Sequence, residues 1–121
     1  MQNYKKYLIQ TNKMERKKLS PEDSFRMPEW IIDLNMNIYE KSVFCIIAKY
    51  TEEEGAYKYT RRYLSEWLGV CSLNTVDKYL KSLIDKEFII KDKFIFNNQE
   101  VPKYRVNIDH PLIRKHLTIT K

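Results

Sequence analysis

The chain has 121 residues, 31% of them charged and 43% hydrophobic, with a formal net charge of +6. That length supports one core, burying about two thirds of the unfolded surface, and no second domain core is expected. With 2 glycines and 4 prolines, and no internal repeat, a low-complexity protein is excluded.

Residues 1–20 hold six basic residues and one acidic, including Lys5-Lys6 and Arg16-Lys17-Lys18. They lack the apolar core of a secretory signal, and no stretch of the chain approaches the length of a membrane span. Residues 1–24 are read as a basic arm. Two roles stand for it: reaching a groove or phosphates, or a frayed terminus. Residues 21–60 are acidic on balance, with four basic and eight acidic residues. Residues 61–121 are basic again, with twelve against seven. A distribution of this kind suits a module with one face toward a polyanion.

Pro28 is placed to start a short helix, with Trp30 and Ile31 packing under the first main helix. Asn37-Ile38-Tyr39-Glu40 has capping-box form, with Asn37 as N-cap and Glu40 reaching back to its amide. Val43, Phe44, Ile47 and Tyr50 continue at helical spacing, which predicts that main helix over 37–50, ended by Glu52-Glu53-Glu54-Gly55. Tyr57-Lys58-Tyr59 alternates as a short strand would.

Thr60 is an N-cap for a second main helix with Tyr63, Leu64, Trp67 and Leu68 inward, and Gly69 is its left-handed stop. Val70 is the expected plug of the turn. Ser72 caps a third helix, 72–86, whose Val76, Leu80, Leu83 and Ile84 form one buried stripe. Asn74, Thr75, Asp77, Lys78, Lys81 and Ser82 are then left facing outward. A glycine-turned helical hairpin also occurs in all-α cores, so the flanks matter. Downstream, Ile89 to Phe96 is β-branched and aromatic, Asn97 to Pro102 reads as a turn, and Lys103 to Ile108 alternates with Tyr104, Val106 and Ile108 on one face. Lys91, Lys93, Lys103 and Arg105 give this hairpin a basic edge. Asp109-His110-Pro111 opens a short terminal helix in a tail over 109–121, which packs back on the core or pairs with a second copy.

The order is helix, short strand, helix, glycine turn, helix, hairpin. The segment Leu64 to Leu83, LSEWLGVCSLNTVDKYLKSL, resembles the winged helix-turn-helix domains of bacterial regulators and of phage and plasmid replication-initiation proteins. Phe25 to Asp33, FRMPEWIID, is similar to the lead-in of the replication domains. The resemblance covers residues 25–108. It implies a mainly α fold with a small β-hairpin (α+β), a three-helix core plus wing. It also implies a double-stranded DNA partner, with helix 72–86 in the major groove. Two features depart from the pattern. Leu73 stands where a basic residue is usual, and Gly69 to Ser72 is one residue longer than the common turn. Leu73 is left with three readings: against a thymine methyl, in the core, or in a protein contact.

The residues expected to read bases are Ser72, Leu73, Asn74, Thr75 and Lys78. Those expected on phosphates are Arg61, Arg62, Lys81, Lys91, Lys93 and Lys103. The implied role is replication initiation or transcriptional control in a phage or mobile element. The alternative is a winged-helix interaction or oligomerisation module with little DNA binding, such as a phage-encoded inhibitor of a host machine. Partners are therefore duplex DNA, a second copy in a homodimer, or a replication or host protein. No membrane partner is expected.

No catalytic constellation, metal set or cofactor is expected. His110 and His116 are both in the tail, Cys45 and Cys71 lack zinc-finger spacing, and Gly55 and Gly69 cannot build a phosphate loop. Two cysteines in different elements suit a reduced, cytoplasmic setting.

Overall fold

A computed structural model describes residues 24–69 and 72–120, the last four of these by backbone alone. The fold is mixed α+β: among the described residues there are five helices and one two-stranded antiparallel hairpin. The expectations for the basic arm before Ser24, and for Val70 and Cys71 in the turn, lie outside the described residues.

Helix α1, Glu29–Ile32, starts after Pro28 as expected. Ile31 is buried, and Trp30 meets Phe44 edge-on at 6.3 Å between ring centroids. The Lys41 amine lies buried and donates to the Ile32 carbonyl, so a charge from the next helix closes the end of this short one. Helix α2, Ile38–Glu54, is the centre of the molecule; Val43, Phe44, Cys45, Ile46, Ile47 and Tyr50 are all buried along it. Asn37 caps it, its Oδ1 accepting from the Tyr39 amide at 2.7 Å.

Two expectations for α2 are corrected. The capping box is only half made: the Glu40 carboxylate turns toward a later helix and accepts from Ser82 Oγ at 2.7 Å and Lys86 Nζ at 2.8 Å. The helix also runs one turn past residue 50. Its three glutamates are its last turn, Lys49 pairs with Glu53 at 2.8 Å, and the chain reverses only at Gly55, with φ of 88°. Carboxylates near a helix C-terminus oppose the macrodipole by a few tenths of a kcal/mol. This helix ends instead at a glycine, which enters the left-handed region without a Cβ clash.

Tyr57 makes a single bridge rather than a strand. Its amide and carbonyl pair with those of Tyr104 at 2.7 and 3.0 Å. Helix α3, Arg61–Leu68, is capped by Thr60, whose Oγ1 accepts from the Tyr63 amide at 3.0 Å, and stops at Gly69 with φ of 87°. Helix α4, Leu73–Asp85, is capped by Ser72, whose Oγ accepts from the Thr75 amide at 3.2 Å. Val76, Leu80 and Leu83 are buried, and Ile84 packs on the same core. The chain leaves α4 through Glu87, at φ of 64°, where Asn107 Nδ2 donates to the Glu87 carbonyl at 2.9 Å.

Strands β1, Ile89–Phe96, and β2, Gln99–Val106, pair in full register from Ile89 opposite Val106 to Phe96 opposite Gln99. The turn is shorter than expected. It is Asn97-Asn98 alone, at φ of 53° and 61°, the two-residue mirror-image geometry that matches strand twist. Pro102 is therefore a strand residue, opposite Lys93. The expected face of Tyr104, Val106 and Ile108 is also corrected. Tyr104 and Val106 are buried, but Ile108 has left the strand and is 55% exposed. Helix α5, Pro111–Thr120, packs back on the core: Ile113 is buried and the His116 ring stacks on Trp30 at 4.4 Å. Its N-terminus is closed by His110, whose Nδ1 accepts from the Leu112 amide at 3.1 Å.

Candidate functional site

The buried stripe of α4 fixes what its other side can offer. With Val76, Leu80 and Leu83 inward, Asn74, Lys78 and Lys81 are exposed on the outer face. Asn74 and Lys78 have no side-chain hydrogen bond or ion pair among the described residues. Ser72 and Thr75 sit at the head of this face, but their hydroxyls are engaged: Oγ of one and Oγ1 of the other lie 3.0 Å apart. Leu73 is half-buried in the first turn. Ser82, expected outward, is turned to Glu40 on α2 and is removed from the open face.

The expected phosphate residues divide into engaged and open groups. Arg61, the first residue of α3, reaches Asp77 on α4 at 2.5 Å. Lys81 lies 3.5 Å from Asp85, and Lys93 lies 3.1 Å from Glu100. Arg62 and Lys91 are exposed with no side-chain hydrogen bond or ion pair among the described residues. All three ion pairs are exposed, so each contributes only about 0–1 kcal/mol and can be exchanged for another anion at small cost.

The hairpin does not carry one basic edge. Successive side chains of a strand point to opposite faces. The register therefore sets Lys91 and Lys93 on the face of Tyr104, and Lys103 and Arg105 on the other. Lys91, Lys93, Glu100 and Pro102 on the first face, with Asp92 between the two lysines, line an open hollow of about 410 Å³. Tyr104, buried at the base of that face, feels both members of the α3–α4 pair. Its phenol is pushed above the usual tyrosine range by burial and by Asp77, and Arg61 opposes this. Arg61 and Asp77 thus lie within electrostatic reach of Tyr104, on whose face of the hairpin Lys91 also stands. On the second face Lys103 stands beside Lys58, its neighbour across the Tyr57–Tyr104 bridge. The Lys58 amine is held below the ordinary lysine range by desolvation and then by Lys103, with Glu54 opposing.

Sequence reasoning missed Lys58, and it missed that Asp77 and Glu100 occupy two of the expected cations. The alternation of Tyr57-Lys58-Tyr59 was the signal for Lys58. Which strand it would join was not readable. Elsewhere, Cys45 is buried and desolvation pushes its thiol up to about 12, so at neutral pH it is protonated and unreactive. Among the described residues no group of three or more His, Cys, Asp or Glu side chains could hold a metal ion, and no helix is long and apolar enough to cross a membrane.

Against known proteins, the chain matches no family model and no curated protein.

Proposed function

We propose that this is a double-stranded DNA-binding protein of winged helix-turn-helix type, acting in replication initiation or transcriptional control in a phage or mobile element. The order of elements supports it: a capped helix stopped at Gly69, a second capped helix, then a hairpin. The observation that carries it is the outer face of α4, where Asn74 and Lys78 stand exposed and unengaged beside the Ser72 cap. A short amide one turn before a lysine matches the needs of base edge first and backbone second. In this reading α4 enters the major groove. Ser72, Asn74, Thr75 and Lys78 face bases, Leu73 faces a thymine methyl, and Arg61, Arg62, Lys81, Lys91 and Lys93 face phosphates. Lys103 lies on the other face of the hairpin and is a weaker candidate.

Anisotropy of a labelled random duplex across a salt series tests this. Six or more phosphate contacts give a steep fall of log affinity with log salt, near 0.9 per contact on B-DNA. A flat series at low salt rejects the reading.

One observation favours a protein-docking role instead. Ile32, the last residue of α1, and Ile38, the first of α2, are 52% and 56% exposed, and Tyr39 next to Ile38 stacks on Tyr79 at 6.3 Å. A stable homo-oligomer in light scattering, without duplex binding, would select that reading.

A further inference from the structure

The ion pair between Arg61 and Asp77 joins residues 16 apart in sequence and ties α3 to α4, within electrostatic reach of Tyr104 on the hairpin. Its side chains are 47% and 45% exposed, so it adds little to folding. Asp77 is also the wrong charge for a surface that meets a polyanion. By simple Coulomb reasoning its carboxylate repels phosphate, and its loss should tighten binding.

The geometry points to the opposite sign. Asp77 Oδ2 takes a bond from one terminal nitrogen of Arg61 at 2.5 Å. A guanidinium has five N–H donors in a rigid plane, so the rest of the fork is left over. A free arginine spends about 2 kcal/mol of rotamer entropy when it is fixed on a ligand. Holding the plane in advance removes part of that cost. Tyr104 lies within the field of both charges, and Lys91 is its direct cross-strand partner, so a second cation stands on the same side of the hairpin. We infer that Asp77 is a positioning residue: it holds the Arg61 guanidinium so that its remaining donors, with Lys91, take a backbone phosphate of the bound duplex. This rests on the proposed duplex binding and assigns the α3–α4–hairpin junction as one of its phosphate sites.

The test compares the full chain with D77N, D77E, R61A and the R61A/D77N double variant, using the same labelled duplex across the same salt series. D77N is expected to bind about threefold to fivefold more weakly than wild type, the span that an exposed pair allows, even though it makes the protein more positive. R61A lowers the salt slope by about one, as loss of one phosphate contact does. The double variant binds no more weakly than R61A alone, and D77E restores binding because it keeps the carboxylate. Matching urea midpoints for D77N and wild type show that the fold is unchanged. Equal or tighter binding by D77N, or additive losses in the double variant, overturns the role of Asp77 while duplex binding stands. A wild type with no salt-dependent binding overturns both.

Discussion

Around Tyr50 the molecule hides its polar groups; along the outer side of α4 it displays them. Tyr50, Tyr57, Tyr59 and Tyr63 are all buried, with ring centroids 5.2 to 6.4 Å apart where they meet Tyr50. Their hydroxyls are matched inside the core: Tyr50 to Tyr63 at 3.1 Å, Tyr57 to the Thr60 carbonyl at 2.7 Å. On α4 and the hairpin the polar groups are exposed, and their ion pairs are of the exchangeable kind. A buried hydroxyl with a partner fixes one packing arrangement, because losing the partner costs about 1–3 kcal/mol. An exposed pair costs almost nothing to open. Under the proposed duplex binding, stability and recognition are held in separate residues, and substitutions should move one without the other.

The largest expected effect is alkaline and falls on the buried side. Tyr50, Tyr57 and Tyr104 all hold their protons above the ordinary tyrosine value of 10.0, mainly because burial penalises the phenolate. A raised pKa in the folded state means that the unfolded chain releases these protons first as pH climbs. Their contribution is fully present below the unfolded value and is lost as pH rises through the higher folded values. Tyrosinate absorbance should therefore show some phenols titrating freely and these three appearing only together with loss of far-UV helix signal. Smooth titration of all nine tyrosines with the fold intact would break the contrast.

Next in size is the buried stripe of α4. Leu83 is fully buried, and Leu83→Ala should cost about 2–5 kcal/mol by urea unfolding, through lost transfer energy plus a cavity. The opposite side of the same helix should behave differently. Lys78→Ala is expected to leave stability within about 0.5 kcal/mol and to weaken binding to the cognate duplex by about 1–3 kcal/mol. Unchanged affinity would remove Lys78 from the reading face. A large loss of stability would show that it also serves the core.

Local signals in the sequence carried the framework of this fold. Thr60, Gly69 and Ser72 act within four residues of themselves, through a cap bond or a left-handed φ, and each does what its chemistry requires. The same locality made the outer face of α4 legible, since Asn74 and Lys78 follow from period alone. What was not legible depends on partners far along the chain. Glu40 looks like half of a capping box, yet Ser82 and Lys86 claim it across more than forty residues. Arg61 and Lys93 look like free cations, yet Asp77 and Glu100 engage them. Pro102 reads as a turn because it lacks an amide proton, but a two-stranded hairpin offers outward edge positions where that proton is not needed. Glu52 to Glu54 read as a stop because they are polar, but polarity does not end a helix.

The smallest effect tests whether the hairpin belongs to the exposed half of the contrast. Asn97 and Asn98 both adopt positive φ, 53° and 61°, in the mirror-image turn that favours asparagine first and glycine second. Asn98→Gly removes the Cβ from a left-handed residue, which favours the folded turn, and loosens the unfolded chain, which opposes it. The net expectation is a gain of about 0.3 kcal/mol, seen as a small rise in the urea midpoint with unchanged slope, since the turn geometry itself selects glycine. Duplex affinity should not move, because neither asparagine is among the residues proposed to face bases or phosphates. A drop in affinity with the fold intact would mean that the Asn98 side chain itself meets the ligand. The contact surface would then extend from the α3–α4–hairpin junction to the far end of the hairpin.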